Sequence, residues 1–188
     1  MTTALPPTQS RLIVKRDGKA ITGKIPKPIA VIDTREQRPF DLARFDNWIG
    51  GVEVDTVKHG DYTVRGMEHL MALERKSLED LVGTLTQRRE QFLRLCESLA
   101  TYRHRAIIIE ASLEDVKSPY PSGFTAAHPN GIAGSLDAIE AKYGIGIIYT
   151  SRHKPLAEEK AASWLSKAFT YWYLEENGLG RVLQPGDL

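Results

Sequence analysis

Three short apolar runs divide the chain, at residues 29–33, 106–110 and 145–149, each rich in isoleucine or valine. Runs of that length, bounded by prolines, glycines or charges, predict buried strands, and all three are expected near the centre of one sheet. Residues 52–57 instead alternate apolar and polar side chains, which predicts a half-exposed strand. From Gly60 to Lys76 the pattern is a strand, a polar turn at 65–68 and a second strand, a hairpin whose far end is charged. Side chains two apart on a strand share a face, so Glu74 and Lys76 project together and Arg75 points the other way.

Helical periodicity takes over at Ser77, an N-cap residue followed by an acid, Asp80, at the third helical position. Leu78, Leu81, Val82 and Leu85, then Phe92, Cys96 and Leu99, keep helical phase to about Thr101. The polar stretch 86–91 between them predicts two helices or a kink. Residues 112–131, with Pro119, Pro121, Pro129, Tyr120 and Phe124, read as a long loop. Ile132, Leu136, Ile139 and Tyr143 mark a helix closed by Gly144, and a last helix runs from about Leu156 to Glu176. Its apolar face holds Trp164, Leu165, Ala168, Phe169 and Trp172, widened by Tyr171 and Tyr173. This order predicts an α/β domain over 29–178, a central mixed β-sheet with helices on both faces.

The domain is preceded by a basic N-terminal arm, 1–28, and followed by a C-terminal tail, 179–188. The arm sets six basic residues against one acid, Asp17, for a net charge of +5. A small hairpin on an Asp17-Gly18 turn is expected within it. The arm reads either as a solvated segment or as a contact for phosphates.

Composition narrows the class. Hydrophobic residues at 41% and charged residues at 26% suit a soluble globular protein, and no apolar run is long enough for a membrane span. The first residues carry no recognisable secretion signal, and one cysteine, Cys96, excludes an internal disulfide, so a cytoplasmic location is expected. The five histidines are scattered without zinc-ligand spacing. With a net charge of only +1, nucleic-acid binding has to come from a local basic face.

Asp33, Asp61 and Glu74 are carboxylates delivered from strand ends, a donor set suited to a hard cation such as Mg²⁺. Lys76 beside them can orient a water or stabilise a transition-state oxyanion, while Arg35 and Arg38 can clamp phosphate oxygens. Arg88 and Arg89 lie where DNA would run if their helix borders a cleft; a solvated face is the plainer reading. Charges alternate on many exposed strands, Asp80 suits a helix start without any other role, and Glu36 can simply pair with Arg35 or Arg38.

Several blocks together go beyond spacing. Residues 32–38 hold Asp33-Thr-Arg35-Glu36, Gly60-Asp61 follows, and Glu74-Arg75-Lys76 is followed after three residues by Asp80. This arrangement resembles the nuclease domain of the XPF family of structure-specific endonucleases, over roughly residues 29–175. Arg89 and the apolar strand ending in Glu110 are also similar to that family. The resemblance implies a restriction-endonuclease-like PD-(D/E)xK fold and Mg²⁺ or Mn²⁺ dependence, with cleavage leaving a 5′-phosphate and a 3′-hydroxyl. It implies Asp33, Asp61 and Glu74 as metal-site acids and Lys76 as the catalytic lysine. Arg35, Glu36 and Arg75 become polar partners, and Asp80 the motif's final acid. Branched DNA (flaps, forks and nicked junctions) is the implied substrate, processed in repair, recombination or replication. Homodimerisation through the nuclease domain is implied too, and the aromatic last helix suits such an interface.

About a dozen residues follow that helix, too few for the tandem helix-hairpin-helix module many members carry, so a stand-alone bacterial or phage-like member is expected. A non-catalytic DNA-binding scaffold and a sequence-specific nuclease of the same fold are the alternatives.

Overall fold

The computed structural model describes residues 13–16, 18–21, 25–121 and 126–179. Asp17 of the expected turn, Phe124 of the expected loop and the tail from residue 180 lie outside them. A two-stranded hairpin, β1 (Lys15–Arg16) and β2 (Lys19–Ala20), precedes the main sheet. The sheet is built from β3 (Ile29–Asp33), β4 (Gly51–Asp55), β5 (Tyr62–Val64), β6 (Met71–Ser77), β7 (His104–Glu110) and β8 (Gly146–Tyr149). Its strand order is β4-β3-β5-β6-β7-β8. β3 runs parallel to β4 and antiparallel to β5, β5 antiparallel to β6, and β6, β7 and β8 run parallel. The sheet is mixed, as the sequence predicts.

Strand parity sorts the core into two layers. Met71, Leu73 and Ile108 face a cluster with Phe40, Phe45, Trp48 and helix α5 (Lys154–Glu176). Ala72, Ile107 and Ile109 face α1 (Leu78–Thr86), α2 (Arg89–Leu99) and α4 (Pro129–Tyr143). Cys96 sits fully buried in the second layer, where burial pushes its thiol up to about 12. Gly144 closes α4 in the left-handed conformation, as expected.

Two expectations are corrected. The run at 145–149 forms β8, an edge strand, and the centre belongs to β5 and β6. Ile148 is covered by the α5 layer and Ile147 by the α4 layer, so this edge strand is half-buried on both faces and reads like a central one. Residues 112–131 are not one loop. Ser112 and Asp115 form a reciprocal capping box that starts α3 (Leu113–Lys117), and α4 begins at Pro129, capped by His128.

The described part of the arm packs on the domain. Val14, Ile21 and Ile25 are buried with Leu174, beside Tyr171 and Tyr173, near the carboxyl end of α5. Glu175 pairs there with Arg103, which precedes β7, whereas the amino end of α5 reaches the segment after β3 through Lys154 and the Pro39 carbonyl. The arm therefore docks at the end of the sheet opposite the charged termini of β3 and β6.

Candidate active site

The carboxyl ends of β3, β6 and β7 meet the start of β5 and the start of α1, and Glu36, Asp61 and Asp80 line the cleft at this junction. The main chain sets Asp61: its N–H donates to the Leu73 carbonyl at 2.9 Å, and its own carbonyl accepts from Asp33 N–H at 2.8 Å. Gly60 makes the approach possible. Its φ is +81°, and a Cβ there would stand 3.1 Å from the Leu73 oxygen. Asp61 Oδ2 accepts the Arg75 N–H at 2.7 Å.

Glu74 is buried, and its Oε1 accepts from Lys76 Nζ at 2.7 Å. Lys76 also reaches Asp80 Oδ2 at 3.1 Å, with its ammonium 5.7 Å from the Phe92 ring centre. Both side chains lie on the α1–α2 face of the sheet, while Arg75 lies on the α5 face, as the alternation predicts. There Arg75 stacks 5.4 Å over Phe40 and forms ion pairs with Glu110 and, at 3.5 Å, with Glu36. Phe40 is held in turn by Tyr62, whose hydroxyl accepts the Phe40 N–H at 2.9 Å beneath stacked rings.

The electrostatics follow from this crowding. Burial, and secondarily the Glu74 charge, push the Asp61 carboxyl up to about 7. Burial works against the Lys76 ammonium, but Glu74 and Asp80 outweigh it and raise its pKa, so Lys76 stays a cation and a donor. Burial likewise opposes the Asp80 charge, and is overcome by Arg88, 2.5 Å away, together with Lys76, leaving its pKa lowered.

Asp33 is bonded by neighbouring donors on both oxygens. Its Oδ1 accepts from the Arg35 N–H and Nε at 2.7 Å, and its Oδ2 accepts from Arg35 Nη2 at 3.0 Å and from Val57 N–H at 2.7 Å. These bonds, led by the Arg35 guanidinium, hold its pKa down. The three predicted acids are thus not assembled into one cage, and among the described residues no group of three potential ligands is placed to hold a metal. Asp61 and Glu74 keep one oxygen each, Oδ1 and Oε2, without a donor from a described residue. Two hard oxygens beside a cleft are a fitting set for Mg²⁺, which binds through one or two carboxylates and fills its octahedron with water and phosphate.

The cleft is about 580 Å³ and is lined by Arg35, Glu36, Arg38, Asp61, Arg75, Lys76, Asp80 and Arg88, among others. Arg89 is not among these. It faces α4 and donates to Ser135 Oγ at 3.1 Å. Sequence reasoning missed Arg152 and Lys154, which border a second pocket beside the cleft. The available signal was their position after an apolar strand, since ligands of open α/β sheets gather at the carboxyl ends of parallel strands. It also missed Glu158, a buried acid of α5. Glu158 accepts the Asp41 N–H at 3.0 Å and pairs with Arg44 at 3.3 Å, fixing the segment that carries Phe40.

Comparison with known proteins agrees with this arrangement. The ERCC4 domain family matches residues 32–161. A Methanocaldococcus jannaschii protein described as an ATP-dependent RNA helicase is 28% identical over 137 residues, which is 72% of this chain but only 15% of that protein. XPF from Aeropyrum pernix superposes with a TM-score of 0.58 at 20% identity, covering 81% of this chain and 69% of that one. The same protein in complex with DNA superposes with a TM-score of 0.57 at 22% identity, over 76% and 64% of the two chains. The fold is accordingly the restriction-endonuclease-like α/β fold of the XPF nucleases. With two thirds of its length matched, and with Asp61 and Lys76 lining one cleft and Glu74 buried against Lys76, the chain belongs to the ERCC4 domain family, the family of XPF nuclease domains.

Proposed function

We propose that this chain is a Mg²⁺- or Mn²⁺-dependent DNA endonuclease that hydrolyses phosphodiesters in branched DNA such as flaps, forks and nicked junctions, in repair, recombination or replication. The observation that carries this reading is the cleft lined by Asp61 and Lys76 and rimmed by Arg35, Arg38, Arg75 and Arg88, with Glu74 buried behind Lys76 and close enough to raise the Asp61 carboxyl. A buried carboxylate beside a half-buried one is poorly stabilised without a cation, and four arginines around the cleft suit an anionic polymer.

Asp61 Oδ1 and Glu74 Oε2 would hold the dication. A dication there would lower the pKa of a water and polarise the phosphoryl oxygen. The chain's own groups do the rest. Lys76, fixed by Glu74 and Asp80, donates to the oxyanion that develops as water attacks phosphorus and the P–O3′ bond breaks. Arg88 neutralises non-bridging oxygens of the strand bound in the cleft. Asp33 acts through Arg35, holding the guanidinium at the cleft rim. Family membership and the DNA complex of the similar Aeropyrum pernix protein support DNA as the partner.

Cleavage of labelled flap, fork, four-way junction and plain duplex substrates, with Mg²⁺, Mn²⁺ or chelator, tests this reading. Metal-dependent cutting of branched forms is expected, with losses on the order of 10³-fold in Asp61→Ala and Lys76→Ala while DNA binding persists. Full activity in either variant overturns the assignment. Preference for one duplex sequence points instead to a sequence-specific nuclease, and binding without cleavage in any metal points to a scaffold.

A further inference from the structure

A second pocket of about 230 Å³ opens beside the catalytic cleft, between the carboxyl end of β7 and the first turns of α1 and α5. Its wall carries four cationic side chains, Arg38, Arg75, Arg152 and Lys154, against two acids, Glu79 and Glu110. Glu110 is already neutralised by Arg75. Arg38 has no ion pair with a described residue, and Arg152 and Lys154 remain roughly half exposed while pairing with Asp115 and Glu158. The site therefore keeps an excess of positive charge with accessible donors. Arg38, Arg75 and Ser77 line both this pocket and the cleft, so the two are continuous.

We infer that this pocket is a subsite for a phosphate flanking the scissile one, with Arg38, Arg152 and Lys154 as its donors. The inference rests on the nuclease reading for the identity of the strand. Its residues come from two separate segments, the turn after β3 and the β8–α5 junction, and Lys154 ties the two together through the Pro39 carbonyl at 2.8 Å. Guanidinium forks match phosphate oxygens in pairs, and a pocket whose lining includes both Arg38 and Arg152 offers two such forks to a phosphate. The two acids in the wall favour a diester, which carries a single charge, over a terminal phosphate monoester. The subsite binds; it lies outside the Asp61–Glu74–Lys76 chemistry. Arg152 and Lys154 are positioning residues that hold the strand across the cleft.

The test uses the full chain and a fluorescein-labelled flap duplex, comparing wild type with Arg152→Gln/Lys154→Gln and, separately, Arg38→Gln. Arg38→Gln breaks no ion pair with a described residue, so it reads the subsite even if the double variant is unstable. Binding is followed by anisotropy in chelator over a salt series, and cleavage in Mg²⁺. Loss of one phosphate contact lowers the slope of log K against log salt by about 0.7–0.9, and KM is expected to rise ~10-fold with kcat within about twofold. An unchanged slope and KM, with wild type still cutting, overturn the subsite and leave the nuclease reading intact. A fall in kcat at constant KM also overturns it, since that would place these residues in the chemistry. A reduced slope in a chain whose wild type cuts no substrate supports the phosphate subsite while the nuclease reading fails.

Discussion

The crowding of Asp61 against Glu74 makes the site a source of instability, and Asp61→Asn should relieve it. Asparagine keeps an oxygen for the Arg75 N–H and removes the charge. Burial and Glu74 move the Asp61 carboxyl from its ordinary 3.8 to about 7, and at ~1.4 kcal/mol for each pH unit the shift corresponds to about 4 kcal/mol of penalty once both states are ionised. Between about pH 4 and pH 7 the folded chain holds a proton that the unfolded chain has released, so this group lowers stability progressively as pH rises through that window. The gain from Asp61→Asn should therefore vanish near pH 3, reach ~1.5 kcal/mol at pH 5 and be largest above pH 7. Turning of the carboxylate toward the cleft lowers the full figure, and ~2 kcal/mol or more at pH 8 is expected, roughly 4–8 °C in Tm for a chain of this size. Thermal unfolding in chelator at pH 3, 5 and 8 measures it. Mg²⁺ or Mn²⁺ should then stabilise the wild type and not the variant, and metal affinity should rise with pH through about 7, because the cation displaces that proton. A variant less stable than wild type at pH 8, or a gain independent of pH, would refute the reasoning.

Three further outcomes follow from particular contacts. Deleting residues 1–28 removes the hairpin over Leu174 and should lower Tm by several degrees, at ~2 kcal/mol for each aliphatic side chain uncovered; an unchanged Tm would mean the hairpin does not pack in solution. Gly60→Ala places a Cβ 3.1 Å from the Leu73 oxygen at φ +81° and should destabilise by ~2 kcal/mol and displace Asp61, lowering cleavage more than binding; wild-type stability and kcat would refute this. Sedimentation at micromolar concentration should show a dimer, supported by the half-buried Trp164 and Trp172 of α5. A monomer would return these aromatics to the core they already flank, since among the described residues the exposed large apolar side chains are Ile13, Ile29, Val54 and Leu113.

Much of the site is local, and local rules reach it. The two-residue repeat of a strand put Glu74 and Lys76 on one face and Arg75 on the other, whatever the sheet around them. The Ser77–Asp80 spacing fixed the start of α1, and with it the distance from Lys76 to Asp80. The same kind of rule applies to Ser112 and Asp115, whose spacing encodes the capping box that starts α3 inside the expected loop.

What needed tertiary structure is pairing and partition. The sequence by itself determined which carboxylates stand at strand ends, but not which of them share a space. Asp33 looks equivalent to Asp61 along the chain. It is diverted because its neighbour Arg35 and a main-chain N–H from Val57, 24 residues on, satisfy both its oxygens. The edge position of β8 was hidden because helices cover it on both faces, and burial rather than strand order shapes an apolar run. The partnership of Arg38 with Arg152 and Lys154 spans more than 110 residues, and no periodicity carries it. Only the folding of β8 beside β7 brings the two basic segments to one wall, because parallel strands deliver their carboxyl ends to the same edge.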